Sequence, residues 1–504
     1  MRSGLSKPLI EKILGGAPEW TVAQLEEKFP PRKLPEGAET TRFAPSPTGF
    51  MHIGGLYQAL IDWKIARDSG GVFYLRIDDT DQKREVPEAV RIIIDSLNAF
   101  GLVPDEIHTQ SERKDIYHAV AADLLGRGLA YPCFMTAEDM ERVRAEQKML
   151  GHQTGIYGEW ARDRDITPEE IEVKLAAGYA PTIRLYSTGD PANKIYCKDL
   201  ARGSIAFPEN FEDTVLIKSG DRLPTYHFAH LVDDHFMRTT TVVRAEEWLS
   251  SFPLHIRMFQ MMGWTPPKYI HTSTLDKIDS ETGKQRKLSK RKDPEASVEN
   301  FIKDGWPIEA VRNYLFNIAA SGFEDEIAKK PETNIENYPL KIKKIPTSGA
   351  LFDWKKLEWW AKEFIATLSV DELARRVMEY AAPRVFDKEY LTAILGIERD
   401  NPKRIRKDFI TWKQTIENIE FFFAEDKPAG NDITKEFLKV YNPADTKDEW
   451  WAKIQDIAAR LGVKNGDVAM ALRVALSGRE QTPDLYSMIY VMGPERVEKR
   501  LKND

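Results

Sequence analysis

Cysteine is almost missing from this chain: Cys133 and Cys197 are the only two in 504 residues. Two scattered thiols exclude a disulfide scaffold and a zinc site of the multi-cysteine kind. A run of about 18 apolar residues is also lacking, which excludes a membrane-spanning helix. The first twenty residues, MRSGLSKPLIEKILGGAPEW, carry charges inside their short apolar stretch and have no small-residue cleavage pattern. They argue against secretion, and a reducing cytoplasm fits the cysteine count. Fixed-period repeats and low-complexity tracts are absent. So are G-x-x-x-x-G-K-[ST], G-x-G-x-x-G and H-E-x-x-H, which removes the ordinary NTPase, dinucleotide-enzyme and metalloprotease readings.

Charge of one sign is lacking too. The chain has 72 basic and 79 acidic side chains, a net of −7, which argues against a purely electrostatic nucleic-acid binder but not against a large enzyme with local basic patches. Local basic runs remain. Residues 284–292 read KQRKLSKRK, with six positive charges and no acid, and 341–344 (KIKK) and 403–407 (KRIRK) are shorter. Taken alone, each run reads as a solvated face.

The length suggests about three to five domains. Residues 1–38 read as an appended leader with one short helix, Thr21 to Lys28, before the first ordered domain. A short strand over 39–45 precedes the turn SPTGFMHIGG, and Leu56, Ala59, Leu60, Trp63 and Ala66 follow at helical spacing. GVFYLRI (71–77) suits a buried strand, and Val90, Ile93, Ile94, Leu97 and Phe100 an amphipathic helix. Strand–helix–strand–helix is the start of a parallel α/β domain. Helices over 136–150 and 167–177 alternate with the strand TIRLY (182–186), as in a smaller mixed domain inserted into the first. Beyond about residue 300 the periodicity is almost wholly helical. The expected segments are a leader (1–38), a split catalytic domain (39–117 and 226–275), an insertion (118–225), a region carrying the KLSKR loop (276–365) and a helical region (366–504).

Two strings carry chemistry. RFAPSPTGFMHIGG (42–55) ends a strand and opens a helix at His52. A helix start offers unpaired N–H groups and the positive end of the dipole, so it suits a phosphate. His52 can donate to a phosphate or ribose oxygen there, and Gly54 and Gly55 remove side chains where a flat base could lie. KLSKRK (287–292) sets Lys287, Ser289 and Lys290 where they can neutralise a triphosphate under attack.

These strings resemble the HIGH and KMSKS signatures of class I aminoacyl-tRNA synthetases. RFAPSPTG, YLRIDDTD, PTYHF, VDDH, RAEEWL and KLSKRK, with LRVALSG, TPDLYSMIYVMG and ERVEKRL near the C-terminus, resemble the bacterial-type glutamyl-tRNA synthetases over residues 39–504. The resemblance implies an α/β fold: a Rossmann-like parallel-sheet catalytic domain, an inserted mixed α/β acceptor-binding domain and all-α anticodon-binding domains. It implies that ATP and L-glutamate give glutamyl-adenylate with Mg²⁺, and that the glutamyl group passes to the 2′-hydroxyl of the terminal adenosine of tRNA(Glu). His52, Gly54, Gly55, Ser289 and Lys290 match the ATP site, with His52, Lys287 and Lys290 as its catalytic groups. Arg42, Ser46, Asp78, Tyr226 and Arg244 match the glutamate pocket, which needs two cationic forks and one anion. Which arginine takes which carboxylate stays open. Arg404 and Arg406, in KRIRK, are the anticodon candidates.

Two positions depart from the family pattern. Asp78 stands where the family usually has glutamate, and His230 where relatives carry asparagine or an apolar residue. A satisfied, buried histidine is the plain reading of His230. No metal ligand is expected, and a cytoplasmic monomer is the family default. Alternatives are a non-discriminating enzyme that also charges tRNA(Gln), and a non-catalytic tRNA-binding paralogue. A short tRNA-modifying paralogue would lack the roughly 200 residues after KLSKRK, a glutaminyl enzyme would carry a β-barrel C-terminus, and a small nucleotidyltransferase would lack the helical domains.

Overall fold

A computed structural model describes residues 3–81, 83, 86–289, 291–401, 405–424 and 431–502. The chain folds as two compact units, Met1–Glu299 with Leu315–Phe352, and Asn300–Tyr314 with Asp353–Asp504.

The first unit opens with two helices, α1 (Lys7–Leu14) and α2 (Val22–Lys28). Pro8 sits in the first turn of α1 and Gly15 ends it at φ 80°, the usual proline-in, glycine-out punctuation. Thr21 and Gln24 close a capping box on α2. The leader expectation is corrected here. Residues 3–38 do not stand apart from the unit: Leu9, Ile10, Ile13, Leu14 and Leu25 are buried in a core shared with later helices. Glu26 holds His235 and Arg238, both at 2.6 Å, and Arg32 grips Glu106 with two hydrogen bonds.

The catalytic sheet follows. β1 (Thr40–Phe43), the helix α3 (Ile53–Ser69), β2 (Val72–Ile77), α4 (Ala89–Ala99) and β3 (Glu106–Thr109) make a parallel sheet of order β1-β2-β3. α3 carries apolar side chains on all faces, and Ile53, Leu56, Leu60 and Ile61 are essentially inaccessible, as expected of a helix buried all round. α5 (Lys114–Gly126) comes next, so the expected boundary at residue 117/118 falls inside a helix. The boundary at 365/366 likewise falls inside the helix Trp354–Thr367.

The inserted region contains β4 (Ala130–Cys133), α6 (Ala137–Met149), α7 (Pro168–Ala176), β5 (Thr182–Leu185), the hairpin β6 (Lys194–Asp199) and β7 (Gly203–Pro208), and β8 (Val215–Ile217). β4, β5 and β8 form their own antiparallel sheet. The hairpin instead extends the catalytic sheet. After α8 (Tyr226–Phe236), β9 (Thr241–Ala245), α9 (Phe252–Met262) and β10 (Lys268–Thr272), β10 pairs in parallel with β9 and with β6 at Tyr269–Asp199. The two parallel sheets lie side by side, since Thr240, just before β9, receives the backbone N–H of Thr40 and donates its own N–H to Thr40. The strand order therefore reverses between β1 and β9. Ligands of open α/β sheets bind outside the strand ends at such a switch point.

A last small sheet joins β11 (Leu275–Ile278), β12 (Gln285–Lys287) and β13 (Ala350–Leu351). The second unit is helical, with no strand among its described residues. Its core includes Leu373, Leu391, Ile454, Ile457, Leu472 and Met488. Two buried guanidiniums staple it. Arg399 donates to the carbonyls of Ile365, Ala366 and Leu368, closing the end of the helix Trp354–Thr367. Arg500 donates to Leu476, Phe421 and Ala424.

Candidate active site

β1 ends at Phe43, and the turn after it delivers His52 to the N-cap of α3. His52 Nδ1 accepts the Gly54 N–H at 3.3 Å. Accepting there places the neutral ring's proton on Nε2, which becomes its donor. Gly54 and Gly55 line the adjoining cleft. A Cβ on Gly54 would meet only the His52 ring at 3.6 Å, so the space it leaves is open towards the cleft.

The second motif faces the same cleft. Lys287, Leu288 and Ser289 line it together with His52, Gly54 and Gly55, around a volume of about 530 Å³. One buried acid, Asp293, holds this loop: it takes two hydrogen bonds from Arg286 (2.7 and 2.8 Å), the Ser289 N–H at 2.9 Å and Lys277 at 2.6 Å. The Arg286 hydrogen bonds, with Lys277 and the Ser289 N–H, hold the Asp293 carboxyl well below the usual range against the cost of its burial. Lys287 Nζ is paired with Glu247, which also lines the cleft. Lys290 lies outside the described residues.

A second cavity, about 460 Å³, shares Phe43, Ala44, Ser46 and Gln58 with the first. It gathers Arg42, Ser46, Asp78, Tyr226 and Arg244, all five residues expected there. Arg42, on β1, donates to Asp234 Oδ1 at 3.3 Å and to the Val243 carbonyl at 3.2 Å. Asp78, just past β2, receives two hydrogen bonds from Arg76, at 2.7 and 3.1 Å. Burial pushes the Asp78 carboxyl up to about 6 even though Arg76 pulls it down. Tyr226 opens α8 and packs against Trp248 with ring centroids 4.3 Å apart.

Behind this cavity lies a charge network that motif reading did not assign. Asp234 meets both Arg42 and Arg76, the latter at 3.0 Å. Asp233 accepts from Gln110, Arg113 and Tyr117 at 2.8–2.9 Å. Both acids lie in the string VDDH. Their arginine partners, and the Gln110 and Tyr117 partners of Asp233, are more than a hundred residues away in the chain, so sequence spacing carries no trace of those pairings. His230 is buried: Nε2 is 2.9 Å from the Tyr269 hydroxyl, and Nδ1 lies 2.8 Å from Asp234 Oδ2.

Of the anticodon candidates, Arg404 lies outside the described residues. Arg406 is bound to Asp408 through Nε and Nη2 at 2.5 and 2.7 Å, lies over the Phe409 ring, and keeps its Nη1 buried without a hydrogen-bond partner among the described residues.

No group of three or more potential metal ligands exists among the described residues. No helix among them is long and apolar enough to cross a membrane. The paired cavities thus offer one wall of histidine, glycine, serine and lysine suited to a polyphosphate, and one of two arginines and an acid suited to a small amino-dicarboxylate.

Residues 39–359 match the family described as tRNA synthetases class I (E and Q), catalytic domain, and residues 372–504 match the anticodon binding domain family. A glutamate–tRNA ligase of Clostridium perfringens (strain 13 / Type A) is 41% identical over 94% of this chain and 96% of its own. One from Acetivibrio thermocellus is 39% identical over 94% and 95%, and one from Thermus thermophilus 34% over 92% and 98%. Among solved structures, a glutamate tRNA ligase from Elizabethkingia meningosepticum in complex with its amino acid superposes with a TM-score of 0.77 at 27% identity, covering 92% of this chain and 98% of that one. With both signature strings on one cleft at the switch point of a parallel sheet, and with these relatives along nearly its whole length, the chain belongs to the glutamate–tRNA ligases, class I aminoacyl-tRNA synthetases that use ATP as a substrate.

Proposed function

We propose that this enzyme joins L-glutamate to tRNA(Glu) with the two adjoining cavities holding ATP and glutamate. The observation that carries the reading is the meeting of His52, Gly54 and Gly55 with Lys287 and Ser289 around one cleft, beside a pocket lined by Arg42 and Arg244. In the first step a glutamate α-carboxylate oxygen attacks the α-phosphorus of ATP, and pyrophosphate leaves with its electron pair. His52 Nε2–H and Lys287 face the growing charge on the phosphates, and the family motif gives Lys290 the same role. Lys287 exchanges Glu247 for phosphate as ATP enters. Arg42 and Arg244 hold the carboxylates, Asp78 takes the ammonium, Tyr226 borders the side chain, and Ser46 sits where the cavities join. In the second step the 2′-hydroxyl of the terminal adenosine attacks the mixed-anhydride carbonyl and AMP leaves.

Mg²⁺ accompanies ATP in this reading. No step is routed through it. The tRNA acceptor end belongs with the inserted region, the anticodon with the helical unit, and the enzyme works in the cytoplasm.

The test is ATP–pyrophosphate exchange with purified tRNAs. Exchange is expected with glutamate, not glutamine, and only when a cognate tRNA is present. Exchange with a different amino acid overturns the substrate, and no exchange under any condition favours a non-catalytic paralogue. Charging of tRNA(Gln) in the same preparation identifies a non-discriminating enzyme.

A further inference from the structure

The two arginines of the glutamate pocket are held in opposite ways. Arg42 rests on a carboxylate, Asp234. Arg244 is 4% exposed and has no carboxylate within 4.0 Å among the described residues; it rests on two histidines. Its Nε donates to His271 Nε2 at 2.8 Å, and its Nη1 lies 2.9 Å from His255 Nδ1. Its Nη2 has no hydrogen-bond partner although it is buried, and the residue lines the pocket.

Guanidinium only donates, so both imidazole nitrogens facing it must be bare. That assigns the protons on the far sides of the rings. His271 then carries its proton on Nδ1, where Asp199 Oδ2 accepts it at 2.8 Å. His255 carries its proton on Nε2, which faces His227 Nδ1 at 3.0 Å. The chain of donors runs one way through His255 to His227, and through His271 to Asp199. The bond from Arg244 fails if the ring it rests on becomes an imidazolium, because a second N–H would then point at the arginine. Burial pushes both rings below the usual histidine range, in agreement with this geometry.

We propose that His255 and His271 are positioning residues for amino-acid binding: as neutral acceptors they fix Arg244 while leaving its charge unneutralised for a substrate carboxylate. Arg42, Arg76 and Arg113 are each set against one or more of Asp78, Asp233 and Asp234. Among the described residues Arg244 reaches an acid only through the His271 ring, so it presents a positive charge that a net-negative amino acid such as glutamate would match and glutamine would not. This inference rests on the glutamate reading of the pocket.

Two measurements test it on the full-length enzyme. The first is the pair His255→Gln and His255→Glu in the exchange assay. Glutamine keeps an acceptor for Arg244 and a donor for His227 without charge, and is expected to leave the KM for glutamate within about threefold of the parent. Glutamate keeps the acceptor but adds a charge, and is expected to raise that KM by at least about tenfold while the KM for ATP stays put. Equal effects of the two substitutions on the glutamate KM overturn the proposal and leave His255 a packing residue. The second needs no substitution: ¹⁵N shifts of the histidine-labelled protein at pH 7. Neutral rings at both positions, protonated on Nδ1 in His271 and on Nε2 in His255, are expected; an imidazolium at either overturns it. An enzyme that exchanges with some other amino acid refutes the glutamate reading, whereas the ring tautomers report on the histidine cradle alone.

Discussion

Both units bury arginines, and they use them differently. In the helical unit Arg399 and Arg500 each hold three backbone carbonyls and have no carboxylate within 4.0 Å among the described residues. The carbonyls they reach lie at or near helix ends, where acceptors lack a full set of intrahelical partners. In the catalytic unit Arg42, Arg76 and Arg244 surround a cavity, and the first two are matched to acids. Burial of a guanidinium therefore does not mark a functional site. What marks one is a donor such as Arg244 Nη2, buried, beside open volume and without a partner. An unmet buried donor costs about 1–3 kcal/mol, which a ligand carboxylate recovers on binding.

Substitutions can break this contrast. The largest effect is expected from Asp234→Ala, which strips Arg42 and Arg76 of a shared, fully buried counter-ion. Breaking such a pair from one side costs about 3–5 kcal/mol, and thermal unfolding should register it as a large fall in midpoint together with loss of exchange activity. Arg500→Ala should cost less, about 1–3 kcal/mol for carbonyls left unmet. Chemical denaturation should detect that loss while the KM for glutamate stays unchanged. A changed glutamate KM would make Arg500 more than a staple.

The smallest effect is on pH. The Asp78 carboxyl, pushed up to about 6, is ionised above that value and takes a proton below it. An ammonium needs the ionised form, so the KM for glutamate should rise as pH falls through about 6 and be flat above. Burial holds His227 and His230 down at about 4, so they stay neutral across that window and contribute nothing to the change. A KM independent of pH between 5 and 7, an interval of about one unit on each side of the Asp78 value, would separate Asp78 from the ammonium.

Much of this site was legible in the chain. The glycine-rich turn announced a helix start, and His52 caps it. The run GVFYLRI became β2, and all five pocket residues named from the family strings meet in one cavity. What stayed hidden depends on distance along the chain. Asp233 and Asp234 meet partners from other strands and helices, and His271 reaches Arg244 only because β9 and β10 pair in register. The hairpin β6–β7 read as part of the insertion, yet Asp199 on β6 pairs beside Tyr269 and receives the His271 proton. α1 is hard to read although Leu9, Ile10, Ile13 and Leu14 have helical spacing between Pro8 and Gly15; six residues between breakers read as part of a leader until the core they enter is known.

The account stands most directly on Arg244, the pocket cation left without an acid. The decisive measurement is the KM for glutamate of Arg244→Ala in ATP–pyrophosphate exchange, read beside the KM for ATP. The glutamate KM should rise about 10–100-fold, the worth of a charged hydrogen bond, with the ATP value little changed. An unaltered glutamate KM, or an equal loss for both substrates, would contradict it.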